Sequence, residues 1–254
     1  MAQLPELRGQ FTIGTSNDSF GMASQTAALT AGTYYVAGDD SESNGLIDDL
    51  QTQLRKFTGH GNANVTYSSG VVTIACNVAA NITFDDTDIA GILGFDDAEL
   101  ASLATHTGTR VPRHVWRPSR GLSGHPVDIN TFWSPRSSTV AGRSVDGTTW
   151  TREGSTVYDA EIEFKLLPAA EVCTPGTGTI YSDLQQFYED VACKGMTIRI
   201  YHDRDSTASS AYWDEGIWGS EDDDELGAFT DFADRHFRKW QAYWGVKIPL
   251  MKKV

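Results

Sequence analysis

Hydrophobic and polar positions alternate most regularly between Thr156 and Leu166. Tyr158, Ala160, Ile162, Phe164 and Leu166 take turns with Asp159, Glu161, Glu163 and Lys165. A period of two with one apolar side predicts a strand that packs on a core and wets its other face. A loop rich in Pro, Gly and Thr follows from Pro168 to Thr179. The period then changes. Leu184, Phe187, Tyr188, Val191 and Ala192 fall at i, i+3, i+4, i+7 and i+8, which predicts a helix over Ser182–Cys193. Ser182 and Gln185 fit a capping box at its start, and Gly195 stands where a C-cap is expected. Met196, Ile198 and Ile200 alternate with Thr197, Arg199 and Tyr201 as a second strong strand. Val246, Ile248 and Leu250 mark a last strand within Trp240–Leu250, after a polar, acidic loop from Ser206 to Gly227.

The N-terminal part has the same two periods in shorter pieces. Met1 to Gln10, with Pro5 and Gly9, reads as an arm. Phe11–Ile13 and Thr33–Val36 read as short strands around a Ser/Thr-rich stretch. Leu46, Ile47, Leu50, Leu54 and Phe57 form one helical stripe within Ser43–Phe57, with Asp48, Asp49, Gln51 and Gln53 facing away. Val65 and Tyr67, the turn Ser68-Ser69-Gly70, and Val71 to Ile74 form a hairpin signal. Ile82–Phe84 is a candidate third strand, and Thr87–Phe95 a short helix or turn plugging one end of a core. Asp96-x-x-Glu99 has the capping-box spacing and predicts a second short helix.

Thr109–Gly154 breaks both periods. Pro112, Pro118, Pro126 and Pro135 interrupt it, and it holds seven arginines with Trp116, Trp133 and Trp150. Loops of this length usually serve binding, and arginine and tryptophan are enriched at protein interfaces. The predicted fold is mainly β (α+β). Residues 1–108 form a small acidic helix-on-sheet module, 109–155 an Arg/Trp-rich extended loop, and 156–254 a β-sandwich or barrel with one flanking helix. No repeat with a period of 20 to 50 residues is evident, which argues against propellers and solenoids.

Charge sharpens this division. The 254 residues carry a net −14. Residues 1–108 hold three basic and thirteen acidic side chains, 109–155 seven and three, and 156–254 ten and eighteen. An acidic chain is ill suited to the phosphate backbone of nucleic acid or to anionic lipid. A basic middle between acidic flanks suits copy-to-copy docking, in which the loop of one subunit meets the acidic face of the next. It equally suits a loop that pairs with its own domain. Arg113, Trp116, Arg117, Arg120, Trp133 and Arg136 are the candidate interface residues, and the acidic run Glu221–Glu225 is a candidate counter-face.

Motifs for catalysis are sparse. Neither G-x-S-x-G nor S-x-x-K occurs, and the six histidines show no H-E-x-x-H spacing. Cys76, Cys173 and Cys193 are odd in number and lack C-x-x-C spacing, so buried thiols are expected rather than a zinc site or disulfide framework. His202-Asp203-Arg204-Asp205 is the densest polar cluster. Two carboxylates one residue apart suit a hard cation, but they equally suit the turn after a strand. No enzyme activity, cofactor or metal is expected. The N-terminus is polar and no apolar run reaches the ~18 residues of a membrane span, so synthesis and storage in a cytosol are expected.

Two stretches resemble virion proteins. Gly32-Thr33-Tyr34-Tyr35, the helix around Leu46 to Leu54, the hairpin at Val65–Ile74 and the terminal Ile92-Leu93-Gly94-Phe95 resemble a module of phage and other viral structural proteins. The strand Tyr158–Leu166, the helix Leu184–Gly195, the strand Thr197–Asp203 and the closing Trp240–Leu250 resemble minor and distal tail proteins of long-tailed bacteriophages. That resemblance implies a β-sandwich or barrel with one helix, a homo-oligomeric ring, docking to other phage virion proteins, assembly in the host cytoplasm and residence in the virion. It brings no catalytic residues. The rival expectations are a capsid-decoration or head–tail connector protein and a carbohydrate-binding or carbohydrate-cleaving tail protein.

Overall fold

A computed structural model describes residues 4–16, 18–37, 45–85, 87–119, 134–137, 140–143, 149–152, 156–172, 183–201, 213–218, 237–240 and 243–252. The fold is mainly β, as the sequence predicts, and every described strand pair is antiparallel.

The chain opens with β1 (Glu6–Gly9), β2 (Phe11–Ile13), β3 (Ser19–Met22), β4 (Gln25–Ala28) and β5 (Gly32–Tyr34). Helix α1 (Leu46–Leu54), β6 (Asn64–Ser68), β7 (Val71–Phe84), α2 (Thr87–Leu93) and β8 (Glu99–Thr107) follow. Strands β4, β3, β7 and β6 lie side by side, β8 adds to β7 as a fifth strand, and β2 pairs with β5. Leu46, Leu50 and Leu54 of α1 and Ile89, Ile92 and Leu93 of α2 share one core with Phe20, Ile74, Ile82 and Phe84 of this sheet. The helix–hairpin–helix reading therefore holds, with α1 shorter at its C-terminal end than the predicted Phe57.

The predicted β6–β7 hairpin is present, and four other expectations in this module change. The β6–β7 hairpin turns at Ser69 and Gly70, both at positive φ, as a two-residue type I′ turn requires. β3 and β4 form a second such hairpin through Ala23 and Ser24, also at positive φ, where no Asn or Gly signals it. β7 runs unbroken to Phe84, so Ile82–Phe84 is its end and not a third strand. Glu99 starts a strand rather than a helix, because residues 99–107 find a partner edge on β7. The polar side of α1 is also partly engaged. Gln53 is buried, the Asp49 carboxylate accepts from the Thr30 amide at 2.7 Å, and Gln51 Oε1 accepts from the Val65 amide at 2.9 Å.

The rest of the chain contributes β9 (Val115–Trp116), β10 (Ser134–Ser137), β11 (Val140–Arg143), β12 (Thr149–Arg152), β13 (Thr156–Pro168), α3 (Ala169–Val172), α4 (Leu184–Asp190), β14 (Thr197–Tyr201), β15 (Trp213–Trp218), β16 (Phe237–Trp240) and β17 (Tyr243–Lys252). The large sheet runs β10-β13-β17-β15-β14-β1-β9, with β16 also pairing β17. Helix α4 and its C-cap residue Val191 lay Leu184, Phe187, Tyr188 and Val191 on a second core with Ile162, Phe164, Ile198, Ile200 and Val246. Its cap is Asp183, whose side chain accepts from the Gln186 amide at 2.8 Å, one residue after the predicted Ser182. A 3₁₀ turn over Ala192–Lys194 then ends at Gly195, whose φ of 63° is the predicted left-handed C-cap.

The sheet crosses the expected segment boundaries. Residues read as an N-terminal arm form β1, which pairs with β14 and β9 in the C-terminal sheet. Within the 109–155 segment Val115–Trp116, Ser134–Ser137, Val140–Arg143 and Thr149–Arg152 are strands, and β9 and β10 belong to the same large sheet. β9 joins the two cores directly. Successive strand residues point to opposite faces, so Val115 enters the first core and Trp116 the second.

Candidate functional site: the charged seam between the two cores

On β14 the face opposite α4 is not wet. All five residues of β14 are buried, including Thr197, Arg199 and Tyr201. Register explains which groups share that face. Glu6 stands opposite Tyr201, Arg8 opposite Arg199, and Arg199 opposite Glu215. The N-terminal module covers them with Tyr35, Tyr67, the carbonyl of Ala37 and the β6–β7 turn.

Glu6 is the hub. Its side chain is 2% exposed, and it accepts from Arg8 Nε at 2.6 Å and lies 2.8 Å from Arg117 Nε. The Arg8 guanidinium sits over the rings of Tyr201 (4.0 Å) and Tyr67 (4.9 Å) and donates to the Ala37 carbonyl at 3.3 Å. Burial works against its charge, but Glu6 and the two tyrosines outweigh that and hold its pKa above the ordinary arginine value. Arg199 forms a parallel set. It lies over the Tyr35 ring at 4.2 Å and 3.8 Å from Glu215, which accepts the Tyr35 hydroxyl at 2.5 Å. Burial, reinforced by Glu215, raises the Tyr35 phenol well above its usual value, and burial beside Glu6 does the same for Tyr67. Like charges opposite one another on a ladder repel. Arg8 and Arg199 meet that way, and each is turned to its own carboxylate and ring.

The turn at Ser69–Gly70 fits this seam. A Cβ on Gly70 would overlap the Arg117 guanidinium, and its φ of +85° disfavours a side chain in any case.

A second clamp lies beside the seam. Arg113 binds Asp190 through two bonds, Nε to Oδ2 at 2.5 Å and Nη2 to Oδ1 at 2.8 Å, and its amide donates to the Gly91 carbonyl at 3.2 Å. Gln186 also donates to Asp190 at 2.8 Å. Arg113 thus ties the end of α2 to α4. The neighbouring His114 is buried against Phe11, with ring centroids 5.0 Å apart. Burial pushes its pKa down to about 4, aided by Lys194 and Arg113 and opposed by Asp190. A histidine held neutral in the fold contributes fully above its unfolded pKa near 6.5. That contribution is lost as pH falls towards 4, because the unfolded chain binds the proton first. By pH 5 the loss is about 2 kcal/mol at ~1.4 kcal/mol per unit. Urea unfolding at pH 7 and pH 5 checks this: His114→Gln is expected to show a shallower fall in stability than the parent, and an equal fall would refute it.

The interface candidates from the sequence divide accordingly. Trp116 is wholly buried, packs edge-on against Phe164 at 5.1 Å and donates Nε1–H to the Glu171 carbonyl at 3.0 Å. It is therefore a core residue and not a docking residue, because β9 turns it into the second core. Arg113 and Arg117 are paired inside their own chain, with Asp190 and Glu6. For these two the pairing is that of a segment binding its own domain. Arg136 lies on β10, opposite Val157 of β13. Arg120, Trp133, the Asp203/Asp205 cluster and Glu221–Glu225 lie outside the described residues.

Sequence reasoning missed Glu6, Arg8, Tyr35, Tyr67 and Glu215, and placed Arg199 and Tyr201 on an alternating strand without assigning them a site role. The available signal was Glu6-x-Arg8, two opposite charges on one side of a short strand. Among the described residues no group of three His, Cys, Asp or Glu side chains is placed to hold a metal ion, and no helix is long and apolar enough to cross a membrane. Comparison with known proteins found no matching family model, no matching curated protein and no matching solved structure.

Proposed function

We propose that this chain is a structural subunit of a tailed-bacteriophage virion, a component of the tail tube, distal tail or tail-tip ring that self-assembles and docks neighbouring virion proteins. The observation that supports this reading is the seam. The two stretches that resemble virion proteins build two cores, and the Arg113–Asp190 ion pair, the Tyr35–Glu215 hydrogen bond and the placement of Arg8 over Tyr67 and Arg199 over Tyr35 join them. Charges buried in this way fix one relative arrangement, since each guanidinium must find its carboxylate. A subunit that repeats around a ring needs such fixed geometry, because a small error in angle accumulates with each copy. The strand–helix–strand unit of β13, α4 and β14, with β17 closing the same sheet, agrees with the tail-protein resemblance.

In this reading Arg120, Trp133 and Arg136 remain the docking candidates of the basic segment, while Arg113 and Arg117 hold the subunit together. Negative-stain microscopy and sedimentation velocity of the purified chain test it. Rings or tubes that weaken as salt is raised are the expected result. A monomer at every concentration and salt would overturn it.

A further inference from the structure

β8 is the open edge of the five-stranded sheet. The same β7 residues that pair with it, Thr73–Ala75 and Ile82–Thr83, pair on their other side with β6 and β3. β8 therefore lies alone on its side of β7, and no other described strand pairs with it. Seven of its nine residues are exposed, with only Leu100 half-buried and His106 buried. The exposed large hydrophobic side chains of the described structure are Leu103 (53% exposed) on this edge strand and Val78 (56%) in the irregular stretch of β7 between Ala75 and Ala80.

Open edges ordinarily carry lysine, proline or an inward charge that blocks further pairing. This one does not. From Leu100 to Thr109 there is no Asp, Glu, Lys, Arg or Pro. The surrounding module has thirteen acidic residues against three basic ones, so two copies repel over most of its surface. The neutral edge is where they approach without that penalty. The strand is also suited to pair with itself. Leu103 is the middle residue of Glu99–Thr107, with a register shift against β7 on either side of it, and an antiparallel pairing about it sets Leu103 against Leu103, Ala101 against Thr105, and Glu99 against Thr107.

We propose that β8 is a contact between copies of this chain, adding antiparallel to β8 of a second copy about a two-fold axis at Leu103 and making the two five-stranded sheets continuous. The occupant is a second copy because the pairing is self-complementary in register and free of like charges. The inference rests on the self-assembly reading above and names one of its contacts. A contact of this kind closes after two copies, so it pairs subunits or rings while ring closure uses other surfaces.

Sedimentation velocity of the full chain tests it, with near-ultraviolet circular dichroism confirming the fold of each variant. The parent is expected to associate with rising concentration. L103K and L103E each place like charges face to face and are expected to weaken that step at least tenfold. An equimolar mixture of the two is expected to restore it, since lysine then faces glutamate. A parent that associates together with variants that associate equally well would overturn the β8 contact and leave the assembly reading intact. Loss in both variants without recovery in the mixture would overturn the two-fold register. A parent that stays monomeric throughout would overturn both proposals.

Discussion

Glu6→Gln is expected to lower the stability of the folded chain by about 3–5 kcal/mol, the usual cost of removing one partner from a buried ion pair. Glutamine keeps the shape, but its NH2 group replaces one of the two oxygens that face Arg8 and Arg117, so the charge and one acceptor are lost together. Glu6 is nearly inaccessible and stands between Arg8 and Arg117. Neither arginine can shed its proton to relieve the loss, because guanidinium stays charged at any ordinary pH. Two cations would remain in a seam with one carboxylate fewer, and the remaining acid there, Glu215, is occupied by Arg199 and Tyr35. Domains are stable by only about 5–15 kcal/mol, so the effect is a large fraction of the total. Arg117→Met is expected to cost less, since Glu6 keeps Arg8. Urea unfolding followed by tryptophan fluorescence measures both. If E6Q fell within 1 kcal/mol of the parent, the seam would have to be hydrated rather than closed.

Trp116→Ala is expected to cost a further about 3–5 kcal/mol, the range for truncating a buried aromatic. The indole is fully enclosed, its edge packs on Phe164, and its N–H satisfies the Glu171 carbonyl in α3. Trp116→Phe fills part of the volume but leaves that carbonyl without its donor, which costs about 1–3 kcal/mol. The comparison decides between two roles. A docking tryptophan would lose assembly and keep its unfolding midpoint. A core tryptophan loses its midpoint, and the alanine variant is expected to do so even under conditions where the parent is monomeric. An unchanged midpoint would return Trp116 to the surface.

Much of the secondary structure was legible because it follows from local periodicity. The helix near Leu184, the strands near Ile162 and Ile198, and the hairpin at Ser69–Gly70 each carry their own signal within a dozen residues. The errors have a common cause. Glu99–Thr107 carries a helix-start spacing, yet it becomes a strand because an edge of β7 is open to it. Residues 6–9 look like a polar arm, yet they pair with residues 198–201, almost two hundred positions away. Local spacing holds no record of such a partner, and the backbone bonds of a ladder outweigh a capping preference of about 1 kcal/mol.

The seam shows the same limit in the side chains. An alternating strand such as β14 announces that its two faces differ, and the sequence by itself determined that Ile198 and Ile200 belong to a core. It also determined the mainly β class, the acidic flanks and the basic middle. Only the tertiary structure decided what lies against the polar face. Tyr35 of the other module lies against Arg199, and Arg8, itself against Tyr67, lies over Tyr201, so Arg199 and Tyr201 are buried. It likewise decided that Arg113 and Arg117 are held within the chain. The reason is physical: burial and charge pairing depend on which surfaces approach each other, and those surfaces are brought together by contacts distant in sequence.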